Sequence, residues 1–346
     1  FNALTRTAAA QAANFPMHHQ PNVGEVAVPD ARLDRLAEIA KSKQIIPTRM
    51  TFVDIAGLVK GASQGEGLGN QFLANIRECD AIAHVLRCFE DGDVTHVEGR
   101  VDPIADAETI ETELMLADLD SVERRLQGLT RKVRGGDKEA MLQEKLLKEA
   151  QAALEQGRPA RVVDVDAGDA KAWKMLQLLT SKPILYVCNV AETDAGTGNA
   201  QSERVREMAA EQGAATVVIS AQIEEEIAQL DAEEAEMFLS EMGLEQPGLD
   251  RLIQAGYELL GLQTYFTVGP KEARAWTIRE GTKAPQAAGV IHGDFERGFI
   301  RSETIAYDDF VALNGEQGAK DAGKMRVEGK SYVVKDGDVL HFLFNA

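Results

Sequence analysis

Cysteine is scarce in this chain: Cys79, Cys88 and Cys188 are its only three, and no two form a Cys-x-x-Cys pair. An odd count without paired spacing excludes a disulfide framework, and thiols set in or beside apolar segments read as reduced and buried, as expected in the cytosol. Long hydrophobic runs are missing too. The longest, such as Ile184 to Cys188 and Ala81 to Leu86, fall far short of the roughly 20 residues a membrane-spanning helix needs, so neither a transmembrane segment nor a membrane partner is expected. Positive charge is in deficit: 37 Lys and Arg against 56 Asp and Glu give a formal net charge of −19. Such a surface repels nucleic acid at long range, which excludes coating of DNA or RNA by the whole protein and makes direct DNA binding unexpected. Repeats and low-complexity tracts are absent. The opening Phe1-Asn2-Ala3-Leu4-Thr5 has no initiator Met, basic n-region or small-residue cleavage site, and reads as a chain beginning inside a helix.

What is present is globular sequence. Hydrophobic residues at 44% and charged residues at 27% rule out a disordered or fibrous chain, and 346 residues exceed one average core, so two or three domains are expected. Residues 50–57 alternate into an apolar strand that ends in Asp54 and then a glycine. Ala81 to Arg87, Pro183 to Asn189 and Ala215 to Ser220 are further short apolar runs separated by helical spacing. Strands alternating with helices predict a doubly wound α/β domain with a largely parallel sheet covered on both faces.

A long interruption lies between the second and third of these strands. Leu119, Val122, Leu126, Leu129 and Val133 mark one helical seam, Gly135-Gly136-Asp137 breaks it, and Leu147, Ala150 and Leu154 resume it. This predicts an antiparallel helical hairpin, a projecting coiled coil. It carries Arg124, Arg125, Arg131, Lys132 and Arg134, which form either a solvated helix face or a partner-binding patch. After about Leu262 the sequence turns β-rich, and Asp336-Gly337 between two apolar runs predicts a hairpin in a small closing α+β domain.

Three places carry candidate chemistry. Asp54-Ile55-Ala56-Gly57 follows an apolar strand, where an acid can hold Mg²⁺ through water while the Gly57 amide meets a terminal phosphate. Gly57, Gly61, Gly65, Gly67 and Gly69 then make a loop suited either to a nucleotide-sensing switch or to an ordinary connection. Asn189-Val190-Ala191-Glu192 ends the Pro183 to Cys188 strand, where a doubly wound fold reads a base, and Ser220-Ala221 ends the next strand.

The ordered set Asp54-Ile-Ala-Gly-Leu-Val-Lys-Gly-Ala-Ser, Gly65-Glu-Gly-Leu-Gly-Asn-Gln-Phe, Asn189-x-x-Glu192 and Leu262-Gln-Thr-Tyr-Phe resembles the YchF-type, Obg-like ATPase family. Glu272-Ala-Arg-Ala-Trp-Thr277, Ala284-Pro-Gln-Ala-Ala-Gly289, Ile291-His-x-Asp-Phe295 and Gly298-Phe-Ile-Arg301 extend the likeness along the chain. The resemblance implies a P-loop NTPase G domain at 1–104 and 181–261, a helical coiled-coil insertion at 105–180 and a C-terminal β-grasp TGS domain at 262–346. It also implies a cytoplasmic, Mg²⁺-dependent ATPase that binds the ribosome, as the large subunit or the 70S particle, and leaves a monovalent cation such as K⁺ open.

Guanine-specific members of the wider class carry Asn-Lys-x-Asp in the base-reading place, the Asp accepting from guanine's ring N–H and amine. With Val190 and Glu192 instead, guanine discrimination should weaken and adenine become acceptable. Asn189 and Val190 would then meet adenine, and the backbone amides of Ser220 and Ala221 approach the base edge. Leu58 stands where that class has a water-orienting Gln and can form no hydrogen bond. The resemblance assigns water activation to His96 in Phe89-Glu-Asp-Gly-Asp-Val-Thr-His96-Val.

Two departures from the family stand out. Its phosphate loop should lie immediately before Phe1, and Met17-His18-His19-Gln20 replaces a stretch with a Mg²⁺-ligating Thr. ATP turnover by residues 1–346 alone is therefore expected to be impaired. Two rival readings stay open, a GTPase of the same class and a ribosome or partner adaptor that works without nucleotide.

Overall fold

The computed structural model of the chain describes residues 2–5, 22–55, 68–90 and 101–345. In chain order its elements begin with α1 (Asn2–Thr5), β1 (Asn22–Ala27), α2 (Ala31–Ala40), β2 (Gln44–Ile46) and β3 (Arg49–Asp54). Then follow α3 (Leu68–Glu78), β4 (Ile82–Arg87), the long α4 (Pro103–Arg134), α5 (Lys138–Glu155) and α6 (Ala170–Met175). Next come β5 (Ile184–Asn189), α7 (Ala200–Glu211), β6 (Ala215–Ile219), α8 (Ala221–Ile227), α9 (Ala232–Glu241) and α10 (Gly248–Leu259). The last stretch holds β7 (Leu262–Val268), β8 (Glu272–Arg279), α11 (Ala284–Ile291), α12 (Gly293–Arg297), β9 (Phe299–Ile305), α13 (Tyr307–Ala312), α14 (Glu316–Asp321), β10 (Arg326–Glu328) and β11 (Val339–Phe344). The chain divides into two compact units, residues 1–24 with 52–252 and residues 25–51 with 253–346, so the cuts fall inside β1, β3 and α10. Among the described residues no helix is long and apolar enough to cross a membrane.

In the first unit β4, β5 and β6 form a parallel sheet with β5 at its centre. Ile184 to Cys188 are all buried, which is why this strand reads as an unbroken apolar run rather than an alternating one. Tyr186, Cys188 and Val190 pack with Leu86, Val205 and Ala209, and each fully buried large side chain contributes about 2 kcal/mol of transfer free energy. The residues expected to add a further parallel strand behave differently. β3 pairs with β1 in a separate two-stranded sheet, because the alternating pattern of residues 50–54 sets a strand but leaves its non-local partner unspecified.

The helical hairpin forms as its seam predicts. Asp102 caps α4 by accepting from the Ala105 amide, and Pro103 occupies the first turn, where no amide partner is lost. Arg131, Lys132 and Arg134 fall in the last turn, where cations suit the helix dipole. Gly136 adopts φ +80°, a left-handed turn residue, and Asp137 caps α5 through the Ala140 amide. Val122 packs with Leu147, Ala150 and Leu154, flanked by Leu119, Leu126 and Leu129.

Midway along α4, Asp118 fixes the helix to the chain entering β5. Its buried carboxylate accepts from the Leu179 and Thr180 amides at 2.8 Å each and from the Thr180 hydroxyl at 2.7 Å. The Thr180 oxygen accepts in turn from the Ala160 amide.

The second unit is built on a six-stranded mixed sheet ordered β10-β9-β11-β7-β8-β2. β7 and β8 form an antiparallel hairpin, the last strand β11 runs parallel to β7, and α11 buries Ala284, Ala287 and Ala288 among the apolar side chains of this sheet, a β-grasp arrangement. β2 joins the outer edge of β8 in parallel, while α2 buries Leu33, Leu36 and Ala37 with Phe266 and Ile305.

The hairpin expected at Asp336-Gly337 is not formed. The Val334 amide donates to Thr282 and the Ala284 amide to Tyr332, so the first run is held elsewhere and β11 pairs with β9 and β7. Asp336 and Gly337 still make a turn, with Gly337 at φ +88°. That turn is clamped onto β7: the Thr264 amide donates to Asp336 and the Gly337 amide to the Thr264 carbonyl, each at 2.8 Å.

Candidate functional site

Parallel strands place their carboxyl ends on one edge of the sheet, where α/β folds bind ligands. In register, Arg87 of β4 lies beside Asn189 of β5, and Asn189 beside Ile219 of β6. The base-reading candidates are therefore neighbours in space. The Ala221 amide donates to Asn189 Oδ1 at 2.9 Å, tying the loop after β5 to the first turn of α8. Asn189 is thereby oriented: its carbonyl end is engaged, and its amide NH₂ has no partner among the described residues. Ser220 is buried and caps α8 through the Ile223 amide at 3.4 Å, so its hydroxyl is structural.

The remaining loop residues divide between core and rim. Val190 is buried in the core and its amide donates to Ile219 at 2.8 Å, so an apolar packing residue stands in the second place of the motif. Glu192 opens a 3-10 turn, half-buried. The Ala221 amide is committed to Asn189, which makes Ala221 a support for the base-reading loop.

Asn199 holds the rim together, although no sequence motif singles it out. It caps α7 in a reciprocal capping box with Ser202, and its Nδ2 donates to the Cys88 carbonyl at 2.7 Å and to Asp194 at 3.3 Å. One side chain thus joins the exits of β4 and β5. Its local signal is an Asn three residues before a Ser at a helix start, which predicts the cap and not the long-range bond. Beneath the rim, Cys88 and Cys188 are buried free thiols. The neighbouring Cys188 thiol, and after it burial, push the Cys88 thiol up.

Asp54 ends β3 and is half-buried, with one long contact from Asn22 Nδ2 at 3.5 Å. Its carboxylate has coordination capacity to spare, and Mg²⁺ is commonly held by one or two carboxylates with water and phosphate oxygens completing the octahedron, so Asp54 fits the ion. No cluster of three or more metal-ligating side chains occurs among the described residues. Gly57, Leu58 and His96 lie outside the described residues, as do His18, His19 and the Met17 to Gln20 stretch.

Curated relatives share this sequence end to end. Proteins called ribosome-binding ATPase YchF from Haemophilus influenzae and Escherichia coli O157:H7 are 57% and 56% identical over 346 residues, covering 100% of this chain and 95% of each relative. The chain belongs to the YchF family. The YchF protein of Bacillus subtilis is 53% identical over 348 residues at the same coverage. A solved structure titled as the Schizosaccharomyces pombe YchF GTPase superposes with a TM-score of 0.84 at 38% identity, covering 99% of this chain and 93% of that one.

Two family models agree with this placement. Residues 1–120 match one described as a 50S ribosome-binding GTPase, and residues 262–345 match the YchF-GTPase C-terminal model, described as a protein of unknown function. The YchF fold is thus a P-loop GTPase-type α/β domain followed by its own C-terminal domain. The β4–β6 edge lies in the first and the β-grasp sheet in the second.

Proposed function

We propose that this YchF protein is a Mg²⁺-dependent ATPase that hydrolyses ATP to ADP and phosphate and works in the cytoplasm as a nucleotide-controlled switch on the ribosome. The observation that carries the nucleotide part is the Asn189 to Ala221 hydrogen bond at the carboxyl edge of β5 and β6. It leaves a preoriented NH₂ donor at the rim, ready for a ring-nitrogen acceptor of the base, beside a motif that lacks guanine's carboxylate partner at the usual length. Glu192, one methylene longer than Asp, does not reproduce the geometry that rewards guanine's paired N–H donors. Relatives named as ribosome-binding ATPases support both halves of the reading.

In this reading Asn189 and the Glu192 turn receive adenine while Val190, Ser220 and Ala221 hold the loop in place. Asp54 holds Mg²⁺ through water, and the Gly57 amide meets the γ-phosphate. A Mg²⁺ ion held there would supply the positive charge that phosphoryl transfer requires. Leu58 cannot orient water, so His96 takes that role. The C-terminal β-grasp unit is the TGS domain, and it and the helical hairpin are the surfaces offered to the ribosome.

Phosphate release by the full-length gene product, with and without ribosomes and Mg²⁺, tests the proposal. Slow ATP turnover that requires Mg²⁺, together with co-sedimentation that changes between ATP and ADP, is expected. Ribosome binding indifferent to nucleotide, with no phosphate released, would replace the switch with an adaptor.

A further inference from the structure

Glu224, one turn into α8, is a buried carboxylate that the nucleotide reading does not use. The Gly248 amide, which opens α10, donates to its Oε1 at 2.6 Å, while Oε2 has no hydrogen-bond partner among the described residues. Burial pushes this carboxyl up, and the Gly248 and Leu249 amides oppose that shift. A half-answered carboxylate in the interior is costly, and an apolar side chain of similar length would pack α8 at less expense. The approach of the two helices is close as well. A Cβ at Gly248 would lie 2.6 Å from Glu224 Oε1 and 2.8 Å from Ile219 Cγ2, so glycine alone admits the contact without a shift.

What this contact holds is the carboxyl edge of the sheet. The Glu224 amide donates to the Ser220 carbonyl at 3.0 Å, so the carboxylate stands one helical turn beyond the residue that leaves β6. Ala221, whose amide is bonded to Asn189 Oδ1, lies within that same turn. Ile223 packs with Ala195, the residue that closes the Glu192 turn. From the other side Arg251 of α10 donates to the Val218 carbonyl at 3.0 Å, fixing the helix start to β6. All of these residues belong to the first unit. Whatever fixes the first turn of α8 therefore fixes both halves of the base-reading edge.

We infer that Glu224 is a positioning residue for nucleotide recognition: by clamping the first turn of α8 onto the start of α10, it holds the Ala221 amide against Asn189 and so fixes the orientation of the Asn189 NH₂. A charged acceptor bonded to a backbone amide gives a direction that apolar packing does not, and a ligand-reading group is only as well placed as the groups behind it. The inference deepens the nucleotide reading and rests on it for the role of Asn189.

The test uses the full-length protein with Glu224→Ala, Glu224→Gln and Gly248→Ala, melting as the check on folding, and Mg²⁺-tripolyphosphate as a ligand that has phosphates and no base. Glu224→Ala and Gly248→Ala should each raise the KM for ATP about fivefold or more while kcat moves less than about twofold, because the clamp touches no phosphate-side group. Tripolyphosphate should inhibit parent and variants alike. Glu224→Gln, which keeps an oxygen for the Gly248 amide, should recover most of the ATP affinity. The double variant should be no weaker than the worse single one, since both substitutions cut the same contact. Gly248→Ala carries the comparison alone should Glu224→Ala fail to fold. Loss of ATP and tripolyphosphate affinity together, a fall in kcat with KM unchanged, or variants as tight as the parent would overturn the inference. If Asn189→Ala weakens ATP binding and the clamp variants do not, the clamp falls and the reading of Asn189 stands. If Asn189→Ala leaves ATP binding unchanged as well, both fall.

Discussion

The carboxyl edge of the β4–β6 sheet and the outer half of α4 are both polar, and they treat their polar groups in opposite ways. At the sheet edge nearly every group is answered from within: Asn189 by Ala221, Asn199 by Cys88, Asp194 and Ser202, and Ser220 by Ile223. Along α4 beyond Ser121, Arg131 and Lys132 have no ion-pair partner among the described residues, and Arg124 keeps only an exposed one. Internal satisfaction preorganises a site for one small ligand, because the geometry exists before the ligand arrives. Unanswered charge on a rigid helix is satisfied by solvent and counter-ions, and little of the fold depends on it.

The sharpest way to break the contrast is at its boundary, where Asp118 satisfies three donors midway along α4. Asp118→Ala leaves the Leu179 and Thr180 amides buried and unanswered and should cost about 3 kcal/mol, lowering the urea midpoint and the Tm of the first unit. Next in size is Asn189→Ala. It removes the free donor and the tie to Ala221 together and should weaken nucleotide affinity by about 1.5–3 kcal/mol, read by titration, with the Tm changing far less.

A pH experiment sharpens the sheet side further. Burial pushes His84 of β4 down from 6.5 to about 4, so the folded protein prefers the neutral ring. The stability this contributes is full above about pH 6.5 and is lost as pH falls through about 4; the loss should be about 1–3 kcal/mol, and His84→Gln should flatten it in acid denaturation. On the other side of the contrast, Arg131→Gln should change stability by less than about 0.5 kcal/mol in the same assays, because it has no internal partner to give up.

Much of this contrast is legible in the sequence, and the reasons are local. The unbroken apolar run Ile184 to Cys188 fits a doubly buried strand, and the seam from Leu119 to Val133 with its Gly135-Gly136-Asp137 break fits a helical turnaround. Asn189 and Ser220 are recognisable because each follows such a strand. The pairings that depend on distant partners are not legible. β3 gives no local sign of choosing β1, residues 25–51 give none of joining the C-terminal sheet, and Asp336-Gly337 looks like a hairpin until Val334 and Tyr332 are seen bonded to Thr282 and Ala284. Asn199 escapes a sequence reading for the same reason: its cap is local, and its bond to Cys88 crosses 111 positions.

Adenine recognition at the Asn189 edge is tested most directly by titrating the full-length protein with ATP and GTP side by side in the presence of Mg²⁺. ATP should bind at least about tenfold more tightly, a difference of about 1.4 kcal/mol. Equal affinities, or a tighter constant for GTP, would contradict it.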